Sequence, residues 1–566
     1  RPLAPSTLGP RERAFLLASR RAVARERWGR WFVVLAVVLA VAVSYGGLRL
    51  QAYLADARFV AARLDSAREA LSEGRALATR AGARREEALA LFDGRPSAST
   101  GPETLPAPDG LRKAAERHWA ETLALREQSD AAYVRASQFL EKALDRDRAH
   151  ADTRRLMAEV AYERVLLAER FHQQRERDER MQRLEQVVDM AGEGAEWLWR
   201  LQAPAEVSLV TDPPGARVEF ERYTDAQGTR RREPVPEAGA LPPTPIASVR
   251  LPAGSYHLRV SHSGRVPVEL PLLLTHGARE DVRLTLPAAV PEGHVYVPPG
   301  CFLLGSGEPE EVRVFMLSPP LHRFCLGEGF LIGRTEVTFG DWVAYLEDQP
   351  AGAPVRRLLE QPRFSAAGAV TLRWRPGDGW VFSFYRSRDD VFTAKEGETF
   401  HYPGRTRRNT ADWRRFPLTG VSAEDLAGYF YWLDRTGRLP GARLCSQHEW
   451  EFAARGADGR RYPHGDRLQP DEVNIDTTYD RQPMAFGPDM VGAHPASVSP
   501  FGLMDVSGNA YEFARSVTPE LGRVVLRGGA FYYDSFAAYI ANIGAGDPTQ
   551  RDASIGVRVC ASFPPR

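Results

Sequence analysis

Between Trp31 and Leu48 the chain reads WFVVLAVVLAVAVSYGGL, an apolar run of 18 residues without a charge. At about 1.5 Å of rise per residue, such a run forms a helix just long enough to cross a hydrocarbon layer about 30 Å thick, once its flanks reach toward the interfaces. A membrane span constrains all the rest, because everything on one side of it shares a compartment. A secretory leader or a buried helix are the competing readings. A leader has a shorter apolar core, a small-residue cleavage site and a start nearer the terminus, so one transmembrane helix over 31–48 is expected. Trp28, Trp31 and Tyr45 suit the interfacial belts. Arg20, Arg21, Arg25, Arg27 and Arg30 crowd the N-terminal flank, whereas Arg49 stands alone beyond the run, so residues 1–30 are expected in the cytoplasm as a juxtamembrane segment. Everything after Leu48 then lies outside it, where disulfides persist.

With 566 residues the chain exceeds what one hydrophobic core usually supports, and several domains are expected. Its 74 basic and 73 acidic residues give a net charge of +1, which excludes a nucleic-acid partner of the kind a strongly basic face would serve. Lys113, Lys142 and Lys395 are the only lysines; the arginine bias suits a GC-rich genome and carries no function. The chain begins with Arg1, as a fragment or a processed product would.

Residues 49–203 are rich in Ala, Leu, Glu and Arg, with Leu156, Val160, Leu167 and Phe171 at helical spacing, and read as an α-helical stalk. The Pro, Gly, Ser and Thr content of 93–110 interrupts it with a disordered insert. The stretch from Ala131 to Glu169 resembles tetratricopeptide-type helix pairs, although a spacer suffices to explain it. Over 204–288 the pattern changes to short β-branched runs punctuated by Pro and Gly, predicting a series of short strands. Its order of Asp212-Pro213-Pro214-Gly215-Ala216, PPTP and LPAGSYHLRV resembles the PEGA domain, which implies a small all-β sandwich and a structural or interaction module without catalysis.

Residues 292–566 carry an ordered series: VYVPPGCFLLGS (295–306), FLIGRTEVTFGDWVAYL (330–346), FPLTGVSAEDLAGYFYWL (416–433), RLCSQHEWEFAARG (443–456), YPHGD (462–466), FGLMDVSGNAYEF (501–513), VLRGGAFY (525–532) and IGVRV (555–559). Locally, Ser422 with Asp425 reads as a capping box before a helix, and Gly456 closes a second helix. In order and spacing the series resembles the formylglycine-generating-enzyme, or sulfatase-modifying-factor, domain. That resemblance implies a C-type-lectin-like α+β fold and a copper-dependent oxidation of a sulfatase cysteine, with copper held by two thiolates shortly after the RGG motif. Here Tyr533 and Ala538 fall at those places, and neither can supply soft thiolate ligation. No catalytic residue and no copper are therefore expected.

All four cysteines, Cys301, Cys325, Cys445 and Cys560, sit elsewhere in this domain. Four cysteines outside the cytoplasm favour disulfides over a reactive thiol or a metal pair. Connectivity is not decided by sequence; the expected pairing is Cys301 with Cys325 and Cys445 with Cys560. The family resemblance also implies calcium, at Asn474 with Ile475 and at Asn509 with Glu512, oxygen donors of the kind a hard cation takes. The alternative is that the asparagines cap turns and Glu512 pairs with an arginine.

Tyr532, Tyr533, Asp534, Phe536, Tyr539, Asp547 and Asp552 are the expected ligand-binding face, since rigid rings among small and acidic residues suit recognition; the alternative places the rings in the core. The segment 527–558 also resembles the variable region of proteins diversified by retroelements. Stalk, PEGA-like and C-terminal domains in this order are similar to bacterial receptor-type Ser/Thr kinases, although no kinase signature lies in these residues. The expectation is a single-pass protein of a bacterial inner membrane, with its C-terminal domains periplasmic and binding a protein or small ligand. A sulfatase-modifying oxidoreductase is the rival from another class.

Overall fold

The computed structural model describes residues 9–94, 110–191, 195–236, 241–482, 484–518 and 521–563. Most of the insert expected over 93–110 lies outside them. The apolar run does not end where a span would end: it is part of one helix of 83 residues, α1 (Pro10–Phe92). None of its most apolar window is buried in the protein, as a lipid-facing surface requires.

Beyond Leu54, the buried positions of α1 include Val60, Leu64, Ala67, Leu71, Gly74, Ala78, Ala81, Arg85 and Ala88, spaced alternately by four and three residues, with Ala70, Leu89, Leu91 and Phe92 buried beside them. That is the seam of a coiled coil. Its partner is α2 (Leu111–Arg146), which buries Ala115, Trp119, Thr122, Ser129, Tyr133, Ala136, Leu140 and Ala143 with the same period. Ion pairs Asp56–Arg146, Glu73–Arg135 and Arg84–Glu121 run in opposite senses along the two helices, so they are antiparallel. Small residues bring the backbones close, and a Cβ on Gly74 would lie 2.5 Å from the Tyr133 ring. The stalk continues with α3 (Ala151–Arg170), α4 (Gln174–Ala191) and α5 (Ala195–Gln202). Leu156, Val160, Leu167 and Phe171 are all buried.

Seven strands follow: β1 (Ala205–Asp212), β2 (Arg217–Ala226), β3 (Thr229–Pro234), β4 (Ile246–Leu251), β5 (Gly254–Ser261), β6 (Val268–Leu274) and β7 (Arg279–Thr285). They form a three-stranded sheet β4-β1-β7 and a four-stranded sheet β3-β2-β5-β6. Val207, Leu209, Leu258 and Leu270 are buried between them. Gln227 and Gly228, both at positive φ, make the two-residue turn of the β2–β3 hairpin. The tip docks on the C-terminal domain: Asp466 N donates to Gly228 O and Arg230 N to His464 O, both at 2.7–2.8 Å.

The C-terminal domain is α+β. One four-stranded sheet takes Ala442–Leu444, Val559–Ser562, Phe330–Gly333 and His294–Val297 in that order; another takes Gly544–Ala545, Val524–Arg527, Tyr511–Arg515 and Ile555–Val557. Helices α6 (Glu310–Phe315), α7 (Phe339–Glu347), α8 (Leu426–Arg435) and α9 (Gln447–Arg455) pack around them. Trp342, Trp380, Trp413 and Trp450 are fully buried. Cys301 and Cys325 face each other across paired strands and are bonded, and Cys445 is bonded to Cys560 on the central strand, the pairing expected. Ser422 and Asp425 exchange reciprocal bonds ahead of α8. In α9 a capping box that sequence reading overlooked, Ser446 with Glu449, starts the helix, and Gly456 at φ 76° ends it.

Stalk and C-terminal domain meet at the α1–α2 end. Buried Asp93 accepts from His322 Nε2 at 3.0 Å, and Arg313, 1% exposed, pairs with Glu116 at 2.5 Å. Arg112 donates to Leu317 O at 2.9 Å.

Candidate ligand-binding face of the C-terminal domain

The strand Val524–Arg527 ends in Arg527-Gly528-Gly529, and each of the three has a physical task. Arg527 is fully buried, pairs with Glu451 at 2.6 Å, donates to Ile540 O at 2.7 Å and lies over the Trp450 ring. Gly528 and Gly529 sit at φ 90° and 75°. A Cβ on Gly529 would stand 2.9 Å from the backbone of Ala537 and Ala538, so the loop after RGG folds back onto a place only glycine leaves free. Further ties fix that loop. Ser507 Oγ donates to Ala538 O at 2.9 Å, Tyr462 OH to Ser535 O at 3.1 Å, and Asp476 N to Tyr533 O at 2.9 Å.

On this frame the seven residues expected at a binding face separate. Tyr532, Tyr533, Asp534 and Asp547 are exposed, while Phe536, Tyr539 and Asp552 are half-buried. Tyr533 packs edge-on against Tyr511 and Tyr532, and Tyr532 against Phe486. Phe536 instead joins Tyr539 and Phe315, and Tyr539 packs on Tyr462. The rings thus form two groups. Phe315, 76% exposed, and Phe486 belong to them and were missed; only their proximity in the fold reveals it. The aspartates double as turn caps: Asp534 Oδ1 accepts from Phe536 N and Ala537 N, Asp547 Oδ1 from Thr549, and Asp552 Oδ1 from Ser554. Asx caps of this kind are local and require no ligand.

Tyr533 and Ala538 stand where the resemblance places two thiolates. Ala538 is buried, and the Tyr533 hydroxyl is held above its ordinary range by burial and then by Asp552. All four cysteines are in disulfides. The donor set here does not fit copper.

Nor do the residues expected to hold calcium fit a cation as they stand. Asn474 Nδ2 donates to Asn509 Oδ1 at 3.2 Å and to Gly487 O at 3.0 Å, and Asn509 Oδ1 also accepts from Asp489 N. Ile475 O accepts from Thr478 N. The charge at their centre is Asp489, a residue sequence reading did not single out. It pairs with Arg405 at 2.5 Å and His494 at 2.8 Å, and Tyr479 OH donates to it. Burial alone would raise the Asp489 carboxyl, but the His494 bond and the Arg405 charge hold it low. Arg405 is itself stacked between Tyr402 and Tyr479. Glu512 pairs with Arg558 at 2.6 Å and accepts from Trp450 Nε1 at 2.5 Å, all three buried. A guanidinium therefore stands beside each carboxylate, the arginine alternative weighed for Glu512. Among the described residues no group of three His, Cys, Asp or Glu side chains is arranged to hold a metal.

Comparison with known proteins agrees with the ordered motifs. Residues 283–563 match the model of the sulfatase-modifying factor enzyme 1-like domain. An inactive C-alpha-formylglycine-generating enzyme 2 of Mus musculus is 35% identical over 123 residues, 20% of this chain and 37% of that protein. A formylglycine-generating enzyme of Mycobacterium tuberculosis is 30% identical over 156 residues, 26% of this chain and 44% of its own. The serine/threonine-protein kinase pkn1 of Chlamydia pneumoniae is 27% identical over 139 residues, 24% of this chain and 18% of the kinase. The chain thus spans less than half the length of each of these relatives. The C-terminal half of the chain, with its disulfide-braced α+β fold and its RGG-anchored loop, belongs to the sulfatase-modifying factor enzyme 1-like domain family.

Proposed function

We propose that the chain is a membrane-anchored receptor that binds a ligand or protein partner outside the cytoplasm through a catalytically silent member of this family. One observation carries the reading: where the family's chemistry needs two thiolates, this chain has the exposed ring of Tyr533 and the buried methyl of Ala538. Neither offers the soft thiolate that copper takes in the family, whereas Tyr532 and Tyr533 offer rigid rings at the surface, the material of recognition. A relative whose name marks it as inactive supports silence of the site, and one named as a kinase supports a regulatory setting. The N-terminal apolar stretch of α1 anchors the chain, with the arginine-rich flank in the cytoplasm and the C-terminal domains in the periplasm.

The test is capture from an extracytoplasmic extract by the immobilised full chain. The reading expects a species retained by the wild type and lost from a Tyr532→Ala, Tyr533→Ala double variant. Equal retention by both proteins removes the face from the proposal.

A further inference from the structure

We propose that the C-terminal domain carries its cations in its own sequence. At the two places where the family resemblance implies calcium, the guanidinium groups of Arg405 and Arg558 do the ion's work, and the fold draws no stability from a divalent ion. A bound calcium ion gathers carboxylate and backbone carbonyl oxygens around one positive centre. Arg405 gathers the same kinds of oxygen. Its Nη1 donates to Asp489 Oδ1 at 2.5 Å, its Nε to Ala485 O at 2.6 Å and its Nη2 to Gly487 O at 2.9 Å. Gly487 O also accepts from Asn474 Nδ2, and Asn509 Oδ1 accepts from the backbone N–H of Asp489. The arginine therefore sits within the cluster of the two asparagines expected to hold the ion.

The backbone is shaped to bring it there. Arg405 lies in the loop between the short strands Phe400–His401 and Thr410–Ala411, and that loop presses on residues 484–489. A Cβ on Gly404 would stand 2.5 Å from Met484 Cβ, and one on Gly487, at φ 147°, would stand 2.7 Å from Tyr402 OH. Tyr402 OH donates to Pro488 O at 2.8 Å. Three carbonyls of one short segment, those of Ala485, Gly487 and Pro488, thus accept from a single loop. The guanidinium lies between the Tyr402 and Tyr479 rings, 3.5 and 3.9 Å from their centroids, and is fully buried. An ordinary ion pair would use the carboxylate alone, whereas here every guanidinium nitrogen meets an inward-turned oxygen, as a cation taken out of water requires. Asp489 has no oxygen to spare for an ion: Oδ2 accepts from His494 Nε2 at 2.8 Å, and Tyr479 OH lies 2.8 Å from both oxygens.

Arg558 repeats the arrangement at the other place. Its Nε and Nη2 donate to Glu512, its Nη1 to Gly333 O at 3.0 Å and its Nη2 to Met504 O at 2.9 Å. One carboxylate and two backbone carbonyls again surround one buried guanidinium. A side chain cannot be diluted or chelated away, so the domain keeps its shape where calcium is scarce. These two clusters are distinct from the face of Tyr532 and Tyr533, and either idea can fail without the other.

The experiment is thermal unfolding of the full chain in nanodiscs of zwitterionic lipid, followed by tryptophan fluorescence, in EDTA and in about 5 mM calcium chloride. The wild type is expected to show the same Tm in both. Arg405→Ala frees Asp489 Oδ1 and two carbonyls around the space it opens. Its Tm is expected to be lower than the wild type's in EDTA and to rise by about 3 °C or more in calcium, the shift that a site of millimolar affinity gives a domain of this size. Arg405→Gln keeps a donor between the rings and is expected to show the same rise after a smaller loss. If neither variant folds in EDTA, the folded yield after refolding with and without calcium reads the same dependence. A wild type destabilised by EDTA, or variants indifferent to calcium in both Tm and folded yield, overturns the proposal.

Discussion

At the scale of single residues, the C-terminal domain keeps ionised groups in its interior, and their pairing decides its stability. Arg558 and Glu512 are both fully buried; Arg558 also donates to Gly333 O and Met504 O at 3.0 and 2.9 Å. Replacing Arg558 with Met strands Glu512 in a dry core, and a loss of about 3–5 kcal/mol is expected in denaturant unfolding of the full chain. Glu336 behaves differently. It is 2% exposed, both its carboxylate oxygens lack partners, and burial and then the charge of Asp505 push its pKa well above the ordinary range. Its folded-state pKa is raised, so the protonated form stabilises the fold at low pH, and that contribution is lost as pH rises above the unfolded value. Glu336→Gln keeps the shape without the charge. The Tm gap between variant and wild type is therefore expected to widen in the variant's favour from pH 5 to pH 8, and a pH-independent gap would contradict this. The motifs that held these residues, TEVT and IGVRV, were legible as family frame. Their partners were not, because a pairing between positions 512 and 558 depends on two strands meeting in parallel, which no local pattern announces.

Elements repeat the lesson at longer range. The stalk was legible as helical from its composition, but its heptad seam was not, since many seam positions, Ala67, Gly74, Ala78, Ala81 and Ala88 on α1 among them, are small and contrast weakly with their neighbours. Close packing replaces bulk there. Ser129 Oγ donates to Gly74 O at 2.8 Å, and the Tyr133 ring fills the space a Gly74 side chain would need. Gly74→Leu is expected to cost about 1–3 kcal/mol through overpacking, read as a lower urea midpoint of the helical signal; an unchanged midpoint would show that the helices do not meet there. The Ser422–Asp425 capping box was readable because it is local, whereas the docking of the β2–β3 hairpin on the YPHGD loop and the Asp93–His322 contact join residues far apart in sequence. That contact makes its own prediction. Amide exchange over 310–326 is expected to quicken in Asp93→Ala and in His322→Ala, with little further change in the double variant. Unaltered exchange would mean that the contact holds nothing.

Across the whole molecule, one helix runs from the arginine-rich N-terminal flank through the apolar stretch to Asp93, about 125 Å at 1.5 Å per residue. Its far end is clasped by the C-terminal domain through His322, and Arg313 lies over Phe92. A displacement of that domain therefore reaches the apolar stretch of α1 without leaving one continuous helix. Buried His257 and His448 are both held down to about 4 by burial. Acidification from the unfolded value near 6.5 toward 4 protonates the unfolded chain first, so each histidine is expected to subtract stability across that window; removing His257 should flatten the fall of Tm between pH 6.5 and 4. The account as a whole turns on whether the family's chemistry survives without its thiolates. Incubating the purified full chain with copper, oxygen and a sulfatase-motif cysteine peptide, and weighing the peptide by mass spectrometry, tests this directly. The account predicts unmodified cysteine, and copper-dependent conversion to formylglycine would contradict it.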